Sequence, residues 1–472
     1  MKLVLINPNF DGVVSIPSLG LGFIGTYIAS RAGWDVEIIE PKLQGYSRDD
    51  VLRKASDASV VGLVCYTESR FQCFDFVRRL KRMNPSVKVI VGGPHVNTLD
   101  SQIMRHYAEV DAVVRMESEE SVLDIINGKP LSAIPGITWR NQQNVTVRNP
   151  DRPLRSEINT FTYDYSLVFP FLNRWKDPEI PYRLQRLNAI PMIASRGCPF
   201  QCTFCAAHQQ WAGTYRGLSP EELVSRIEEL SRRYAIRYFR FYDALFIGND
   251  HHILTLCDLL ERSKVKISFR IDIRAGTSRQ TLSRLRSVGC DVVGMGIESG
   301  SDRILARVNK RTDRKKIKET VAVCRELGYW ILGFFMVSLP DETLDDIRQT
   351  LEMVNLFDGT NLQFFKLHPN TAFYEELKQK GAINDEVWFD PDYGFRTRYG
   401  HEVYYCREMF PEAALSWKEG QSLLRHAFFK FNRDNPARLI RTRGFIAGVP
   451  LVLASAAALS LSGADVRKRF FK

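Results

Sequence analysis

Ser195-Arg196-Gly197-Cys198-Pro199-Phe200-Gln201-Cys202-Thr203-Phe204-Cys205 is the stretch from which this chain is read, and the apolar run Ile190 to Ala194 leads straight into it. A strand that opens into C-x3-C-x2-C spacing puts three thiolates on one short loop. Protein-ligated four-iron clusters use four cysteine thiolates, so a set of three leaves one iron open to a substrate. Zinc is the first alternative, but it takes four ligands, typically as two separated pairs, and His208 would have to be the fourth. A disulfide is the second. It would leave one thiol over, and nothing in the first residues reads as a secretory leader. The spacing favours a cluster, with Cys198, Cys202 and Cys205 as the metal ligands.

Downstream of the loop, strand and helix units repeat. Strands are expected at Pro191 to Ser195, Arg237 to Tyr242, Val265 to Ile271, Asp291 to Ile297, Trp330 to Val337 and Asn361 to Leu367. Helical segments lie between them, such as Pro220 to Tyr234, Ile253 to Ser263, Asp313 to Leu327 and Leu344 to Leu356, with Thr312 placed to cap the third. Six such units predict a partial (β/α)6 barrel over residues 190–370, with functional residues at the carboxyl ends of its strands. Those ends carry Asp243, then Arg270, Asp272 and Arg274, then Glu298 and Ser299.

Upstream, Lys2 to Asn7 is a short apolar run that ends in a loop, as a buried parallel strand does. Strands at Trp34 to Ile39, Val60 to Cys65, Val87 to Val91 and Ala112 to Arg115 follow, alternating with helices at Pro17 to Ala32, Ser47 to Ala55 and Phe71 to Met83 and one ending near Asn127. Residues 1–127 therefore predict an α/β, doubly wound Rossmann-like domain of about five parallel strands, with its ligand beyond their carboxyl ends. The loops at Asn7 to Leu21, Tyr66 to Arg70 and Gly92 to Thr98 are the candidate contacts, and Gly20, Gly92 and Gly93 let backbone approach a large ligand. No G-x-G-x-x-G follows the first strand, so a nicotinamide has little support.

Residues 128–189 read as a proline-rich connector, with a hairpin around Gly136 to Trp139 and Val145 to Val147. Its aromatics Phe161, Tyr163, Tyr165 and Trp175 suit either an interface or a substrate pocket. Residues 371–472 form a mainly helical C-terminal region. Its apolar run from Gly444 to Ser462 is flanked by Arg441, Arg443, Arg467, Lys468 and Arg469. That run is borderline in length for a spanning helix and reads as a packed or amphitropic helix able to touch an anionic leaflet. The chain has 472 residues, nine cysteines and a formal net charge of +11. Six cysteines are scattered singly, which fits reduced thiols in a cytoplasm, with membrane association through the apolar run as the variant. The basic residues are spread along helices, which argues against nucleic acid as a partner.

The Ser195 to Cys205 loop, with Phe204 just before the third cysteine, resembles the signature of the radical S-adenosylmethionine (SAM) superfamily. Gly296-Ile297-Glu298-Ser299-Gly300-Ser301 is similar to that superfamily's ribose-contacting segment, and Gly333 to Glu342 to its adenine-contacting one. Pro17 to Gly22, Gly92-Gly93-Pro94-His95-Val96-Asn97 and Asp111 to Glu120 resemble the cobalamin-binding domain that precedes many radical SAM proteins. There are two departures. The family's Gly-Glu-Gly-Glu is Met116-Glu117-Ser118-Glu119 here, and D-x-H-x-x-G is missing, so no histidine is expected on the lower face of cobalt. The segments from Leu424 to Phe431 and from Arg438 to Arg443 resemble the subgroup that includes the anaerobic magnesium-protoporphyrin monomethyl ester cyclase.

The resemblance implies three cofactors: a 4Fe-4S cluster, SAM and cobalamin. It implies contacts to SAM from Phe204, Asp243, Arg270, Asp272, Glu298 and Ser299, and contacts to cobalamin from Gly20, Tyr66, Thr67, Gly92, Gly93 and His95. The implied activity is methylation of an unactivated carbon through a 5'-deoxyadenosyl radical and methylcobalamin. Cyclisation, oxidation or rearrangement with the same cofactors is the alternative, and a non-enzymatic iron-sulfur or zinc protein the third. The implied partners are a small-molecule, lipid-like or tetrapyrrole-like substrate and a flavodoxin- or ferredoxin-type reductant.

Overall fold

The computed structural model describes residues 1–11, 17–168, 175–437 and 455. Its chain divides into two compact units: Met1–Trp175 with Phe204–Arg216 and Leu367–Val403, and Lys176–Thr203 with Gly217–Lys366 and the chain from Tyr404 onward.

The first unit is built on one seven-stranded sheet. β1 (Lys2–Ile6), β2 (Asp35–Ile39), β3 (Val60–Val64), β4 (Lys88–Gly92) and β5 (Ala112–Val114) are parallel, in the order β2-β1-β3-β4-β5. The hairpin of β6 (Ile137–Arg140) and β7 (Thr146–Arg148) extends the same sheet antiparallel to β5. The sheet thus has two more strands than the five expected, and the hairpin read as connector belongs to it. Val60 to Val64 are all buried, because helices cover both faces of a central parallel strand. α1 (Leu19–Ala32), α2 (Arg48–Ser56), α3 (Arg70–Met83) and α5 (Glu119–Ile126) match the expected helices closely. Ser47 starts α2 with a capping box to Asp50, which satisfies two backbone donors at once.

Among the helices that the sequence did not show, one lies in a candidate loop. α4 (Val96–His106) begins directly after Pro94-His95, inside the stretch read as a loop to Thr98. Val96, Leu99 and Ile103 form its buried face, but Asn97, Thr98, Asp100 and Ser101 hide that period because they favour turns. Asp100 is buried for a tertiary reason, since it accepts hydrogen bonds from Arg148 Nε at 3.0 Å and from Thr138 Oγ1.

The second unit carries a six-stranded parallel sheet whose neighbours are consecutive in the chain. These are β8 (Ala189–Met192), β9 (Tyr238–Phe241), β10 (Ser268–Ile273), β11 (Cys290–Glu298), β12 (Trp330–Val337) and β13 (Gly359–Phe364). This is the expected partial barrel. Its helices include α6 (Pro220–Arg233), α7 (Asp250–Ser263), α8 (Arg279–Ser287), α9 (Arg314–Glu326) and α10 (Leu344–Val354). The N-cap of α9 is Asp313, whose side chain accepts from Lys316 N at 2.8 Å, and not Thr312, whose hydroxyl is buried without a partner. The carboxylate wins because it also favours the positive end of the helix dipole.

Residues 367–403 count with the first unit, although they follow the barrel in sequence. Arg70, fully buried, ties them there by donating to Trp388 O at 2.8 Å and His401 O at 2.7 Å. Leu424 to Phe431 lie inside α11 (Trp417–Asp434), which opens on a capping box between Ser416 and Glu419. Arg438 to Arg443 lie outside the described residues, as does the Gly444 to Ser462 run apart from Ser455. Among the described residues no helix is long and apolar enough to cross a membrane.

Candidate functional site

The cluster loop starts where β8 ends. None of Cys198, Cys202 and Cys205 is in a disulfide; Cys202 is buried and the other two are partly exposed. Cys198 and Cys202 fall in the second unit, Phe204 and Cys205 in the first. Three residues from two loops of the barrel hold the loop's first half. Thr203 N donates to Val308 O at 3.1 Å, Asn309 Nδ2 donates to Gln201 O at 2.9 Å, and the Arg274 guanidinium lies 3.7 Å from the Phe200 ring centre. Sequence reading missed Val308 and Asn309. Asn309 adopts φ +53°, a conformation asparagine tolerates better than most residues, and no spacing advertises it.

The donor set fits the cluster. Among the described residues, no three His, Cys, Asp or Glu side chains converge closely enough to hold one metal ion. Three thiolates on one loop suit a four-iron cluster by the chemistry of the donor set, in which each thiolate meets its own iron.

Asp243, just past β9, turns back onto the root of this loop. It is buried and accepts from Ala194 N at 3.0 Å and from Ser195 Oγ at 2.5 Å. Burial pushes its pKa up to about 7, against the opposing pull of the Ser195 and Ala194 hydrogen bonds. An unfolded aspartate titrates near 4, so between about pH 4 and pH 7 the folded chain holds a proton that the unfolded chain has lost. Stability from this group is therefore present at low pH and falls as pH rises through that window. Asp243→Asn removes the titration, and urea unfolding at a series of pH values should show a flatter decline between about pH 5 and 7 than the parent. An unchanged slope would mean that Asp243 stays ionised.

The other barrel candidates have definite partners. Arg270 is 1% exposed, and its Nη1 donates to Asp177 at 3.2 Å and Glu179 at 2.8 Å. Burial opposes its charge, but Asp177, Asp272 and Glu179 outweigh this and hold its pKa above the ordinary value. Its other edge, Nε and Nη2, is buried with no hydrogen-bond partner, as is Asp272 Oδ1. Asp272 Oδ2 accepts from Arg240 Nη2 at 2.9 Å. Glu298 stands at φ +70° and pairs with Lys310 Nζ at 2.7 Å. Ser299 is fully buried, with its hydroxyl 3.2 Å from Thr350 Oγ1 and accepting from Ser301 N at 3.2 Å. Asp177, Glu179, Arg240 and Lys310 were not found from sequence, since they meet their partners only through the tertiary fold.

In the first unit the candidates gather at the carboxyl ends of β1, β3 and β4. Tyr66 OH lies 3.4 Å from Ser18 Oγ. Thr67 Oγ1 lies 3.3 Å from Nδ1 of the fully buried His95. Burial, then the charge of Arg70, holds the His95 pKa well below its ordinary value. Gly93 has φ +106°, and a Cβ there would stand 2.9 Å from Cys65 O. Glycine is thus required at the turn out of β4. A Cβ on Gly92 would meet Val114 O at 3.4 Å, while one on Gly20 would meet open space. Asn7 Oδ1, Ser69 Oγ and His95 Nε2 are buried here without hydrogen-bond partners. Orphaned polar atoms in three adjacent loops suit a polar ligand that completes them.

Met116, where the resemblance calls for glycine, adopts φ +60°. A non-glycine residue held there is strained by about 1–3 kcal/mol, part of which glycine's extra backbone entropy offsets. Met116→Gly should therefore stabilise the first unit by about 1 kcal/mol, read as a raised urea midpoint. A lowered midpoint would show that the Met116 side chain contributes more than the strain costs.

A half-barrel whose first strand feeds three free cysteines, in one chain with an open α/β sheet ending in glycine loops, defines a radical SAM enzyme with a second cofactor domain. Comparison with known proteins agrees. The Radical SAM superfamily model matches residues 192–354 and the B12 binding domain model residues 13–126. The chain belongs to the cobalamin-binding family of radical SAM proteins, whose cofactors are a 4Fe-4S cluster, SAM and cobalamin.

An uncharacterized methyltransferase of Pyrococcus horikoshii is 27% identical over 391 residues, covering 79% of this chain and 83% of that protein. The anaerobic magnesium-protoporphyrin IX monomethyl ester cyclase of Rubrivivax gelatinosus is 23% identical over 404 residues, covering 82% and 71%. The radical S-adenosylmethionine methyltransferase TsrM of Kitasatospora setae, solved with cobalamin and its cluster, superposes with a TM-score of 0.71 at 13% identity, over 97% of this chain and 99% of that one.

Proposed function

We propose that this chain is a cobalamin-dependent radical SAM methyltransferase that methylates an unactivated carbon of a small molecule. The observation that carries the proposal is the pairing, in one chain, of the three-thiol loop at the end of β8 with a cobalamin-type sheet whose loops hold orphaned polar atoms. The methyltransferase relative from Pyrococcus horikoshii supports the same reaction class. When bound, the cofactors supply an adenosyl radical and a transferable methyl group. The chain's own part is to hold and orient them. Cys198, Cys202 and Cys205 would take the cluster. The Nε and Nη2 edge of Arg270, without a hydrogen-bond partner and with Asp272 Oδ1 3.9 Å from Nε, has the fork geometry that receives a carboxylate side-on, and Glu298 is a candidate acceptor for sugar hydroxyls. The loops around Gly20, Tyr66, Thr67, Gly92, Gly93 and His95 would receive cobalamin. A flavodoxin- or ferredoxin-type protein would supply electrons, and nine free thiols fit a reducing cytoplasm.

The test is transfer of label from SAM carrying an isotopic methyl group. S-adenosylhomocysteine and a labelled product together are expected. A second reading, cyclisation or oxidation of a tetrapyrrole-like substrate, is favoured by the match to the cyclase of Rubrivivax gelatinosus. It predicts 5'-deoxyadenosine without S-adenosylhomocysteine.

A further inference from the structure

Glu40 is a buried acid, 3% exposed, that follows β2 at the carboxyl edge of the first sheet. Its backbone is held without help from the carboxylate: Asn7 N donates to the neighbouring Ile39 O at 3.0 Å, and Glu40 N donates to Gln44 Oε1 at 2.7 Å. The carboxylate reaches across to the two ends of the first loop. Its Oε1 accepts from Ser18 N at 2.6 Å, at the start of α1, and its Oε2 accepts from Asn7 Nδ2 at 2.9 Å, at the end of β1. Asn7 is 7% exposed, and its Oδ1 joins Ser69 Oγ and His95 Nε2 as a buried atom without a hydrogen-bond partner.

The chemistry of the pair fixes which way the amide faces. An ionised carboxylate only accepts, so Asn7 must turn its NH2 toward Glu40 and its carbonyl away. A neutral Glu40 reverses this. The Ser18 N–H occupies Oε1, so the proton sits on Oε2 and donates to Asn7, whose amide then presents NH2 to a ligand in place of Oδ1. Burial pushes the Glu40 pKa up to about 7, against the hydrogen bonds from Ser18 and Asn7. The titratable groups that feel its charge are the phenols of Tyr66 and Tyr163, both raised by burial, and among the described residues no cation lowers it. Both forms of Glu40 are therefore within reach near neutral pH.

We infer that Glu40 is a positioning residue for cobalamin: its carboxylate holds the Asn7 amide with the carbonyl turned away from it, so that Oδ1 accepts a hydrogen bond from an amide N–H on the rim of the corrin. The inference rests on the placement of cobalamin under Proposed function, and it concerns no ligand of cobalt.

The experiment measures the affinity of the full chain, freed of cobalamin, for methylcobalamin in dim light, by equilibrium dialysis at a series of pH values. Parent, Glu40→Gln, Asn7→Ala and the double variant are compared. Binding that favours the ionised acid releases a proton, so affinity rises with pH. Parent binding should tighten about fivefold to tenfold between about pH 5.5 and pH 8.5, the scale of one hydrogen bond to a buried group. Glu40→Gln accepts from Ser18 and donates to Asn7, so it should keep the parent's low-pH affinity at every pH. Asn7→Ala should lose the slope too, and the double variant should be no more than about twofold weaker than either single one. A parent affinity that ignores pH, or a Glu40→Gln variant that keeps the parent's slope, overturns the inference. So does an Asn7→Ala variant with the parent's slope, which leaves Glu40 a part of the fold alone. A parent that binds no methylcobalamin at any pH defeats the cobalamin placement itself, and the inference with it.

Discussion

Cys202→Ala is expected to abolish the chemistry while leaving the fold in place. Cys202 is the buried member of the three cysteines, and the loop on which it sits is held from outside by Val308, Asn309 and Arg274. Those contacts use backbone and neighbouring side chains and not the thiol, so its removal costs little structure. Two remaining thiolates do not retain a four-iron cluster. Anaerobically reconstituted protein should drop from about four irons per chain to fewer than about one. Formation of 5'-deoxyadenosine under strong reductant should fall to the level of an enzyme-free control. Cys324→Ala is the matched control: this thiol is buried in α9, and its loss should leave iron unchanged. Full iron in Cys202→Ala would sink the cluster assignment and reopen the non-enzymatic reading.

Arg270→Ala should give the largest loss of stability in the barrel. Arg270 is 1% exposed and Asp177 2%. Asp177 also accepts from Tyr238 OH at 3.2 Å. Without the guanidinium, the Asp177 carboxylate stays buried with Tyr238 OH and Glu179 N, at 3.1 Å, as donors and, among the described residues, no other ion-pair partner. Removing one partner of a buried pair costs about 3–5 kcal/mol, because an uncompensated charge remains. A chain with two units need not unfold in one step. The measurement is therefore the thermal transition of the barrel, followed by hydrogen exchange in β9 and β10. Pairing Arg270→Ala with Asp177→Ala should recover part of the loss, since the double variant leaves neither charge behind. A loss below about 1 kcal/mol for Arg270→Ala would mean that water reaches the Asp177 carboxylate and screens the pair.

The same side chain shows where sequence reading meets its limit. Arg270 was legible as a charged residue on a barrel strand, and the resemblance sent it toward SAM. Its Nε and Nη2 edge has no hydrogen-bond partner, and its other edge is occupied by Asp177 and Glu179, which come from the stretch read as connector. Asp243 was likewise legible as a strand-end acid, yet its carboxylate faces Ala194 and Ser195 at the root of the cluster loop. Nothing in the spacing of either residue reports such partners.

By itself, the sequence determined the closely spaced cysteines Cys198, Cys202 and Cys205, the run of six parallel barrel strands and the alternating sheet before them. These are properties of short windows: three thiols within eight positions, apolar runs of strand length, and helices of period near 3.6, so local spacing is enough to read them. The tertiary structure decided the rest. It joined β6 and β7 to the first sheet, formed α4 from a polar-looking stretch, returned residues 367–403 to the first unit through Arg70, and chose Glu117 for Arg216 and Asp177 for Arg270. Each of these joins groups tens to hundreds of residues apart. A charge or an orphaned backbone edge accepts any partner that burial brings near, and only the packed chain decides which one arrives.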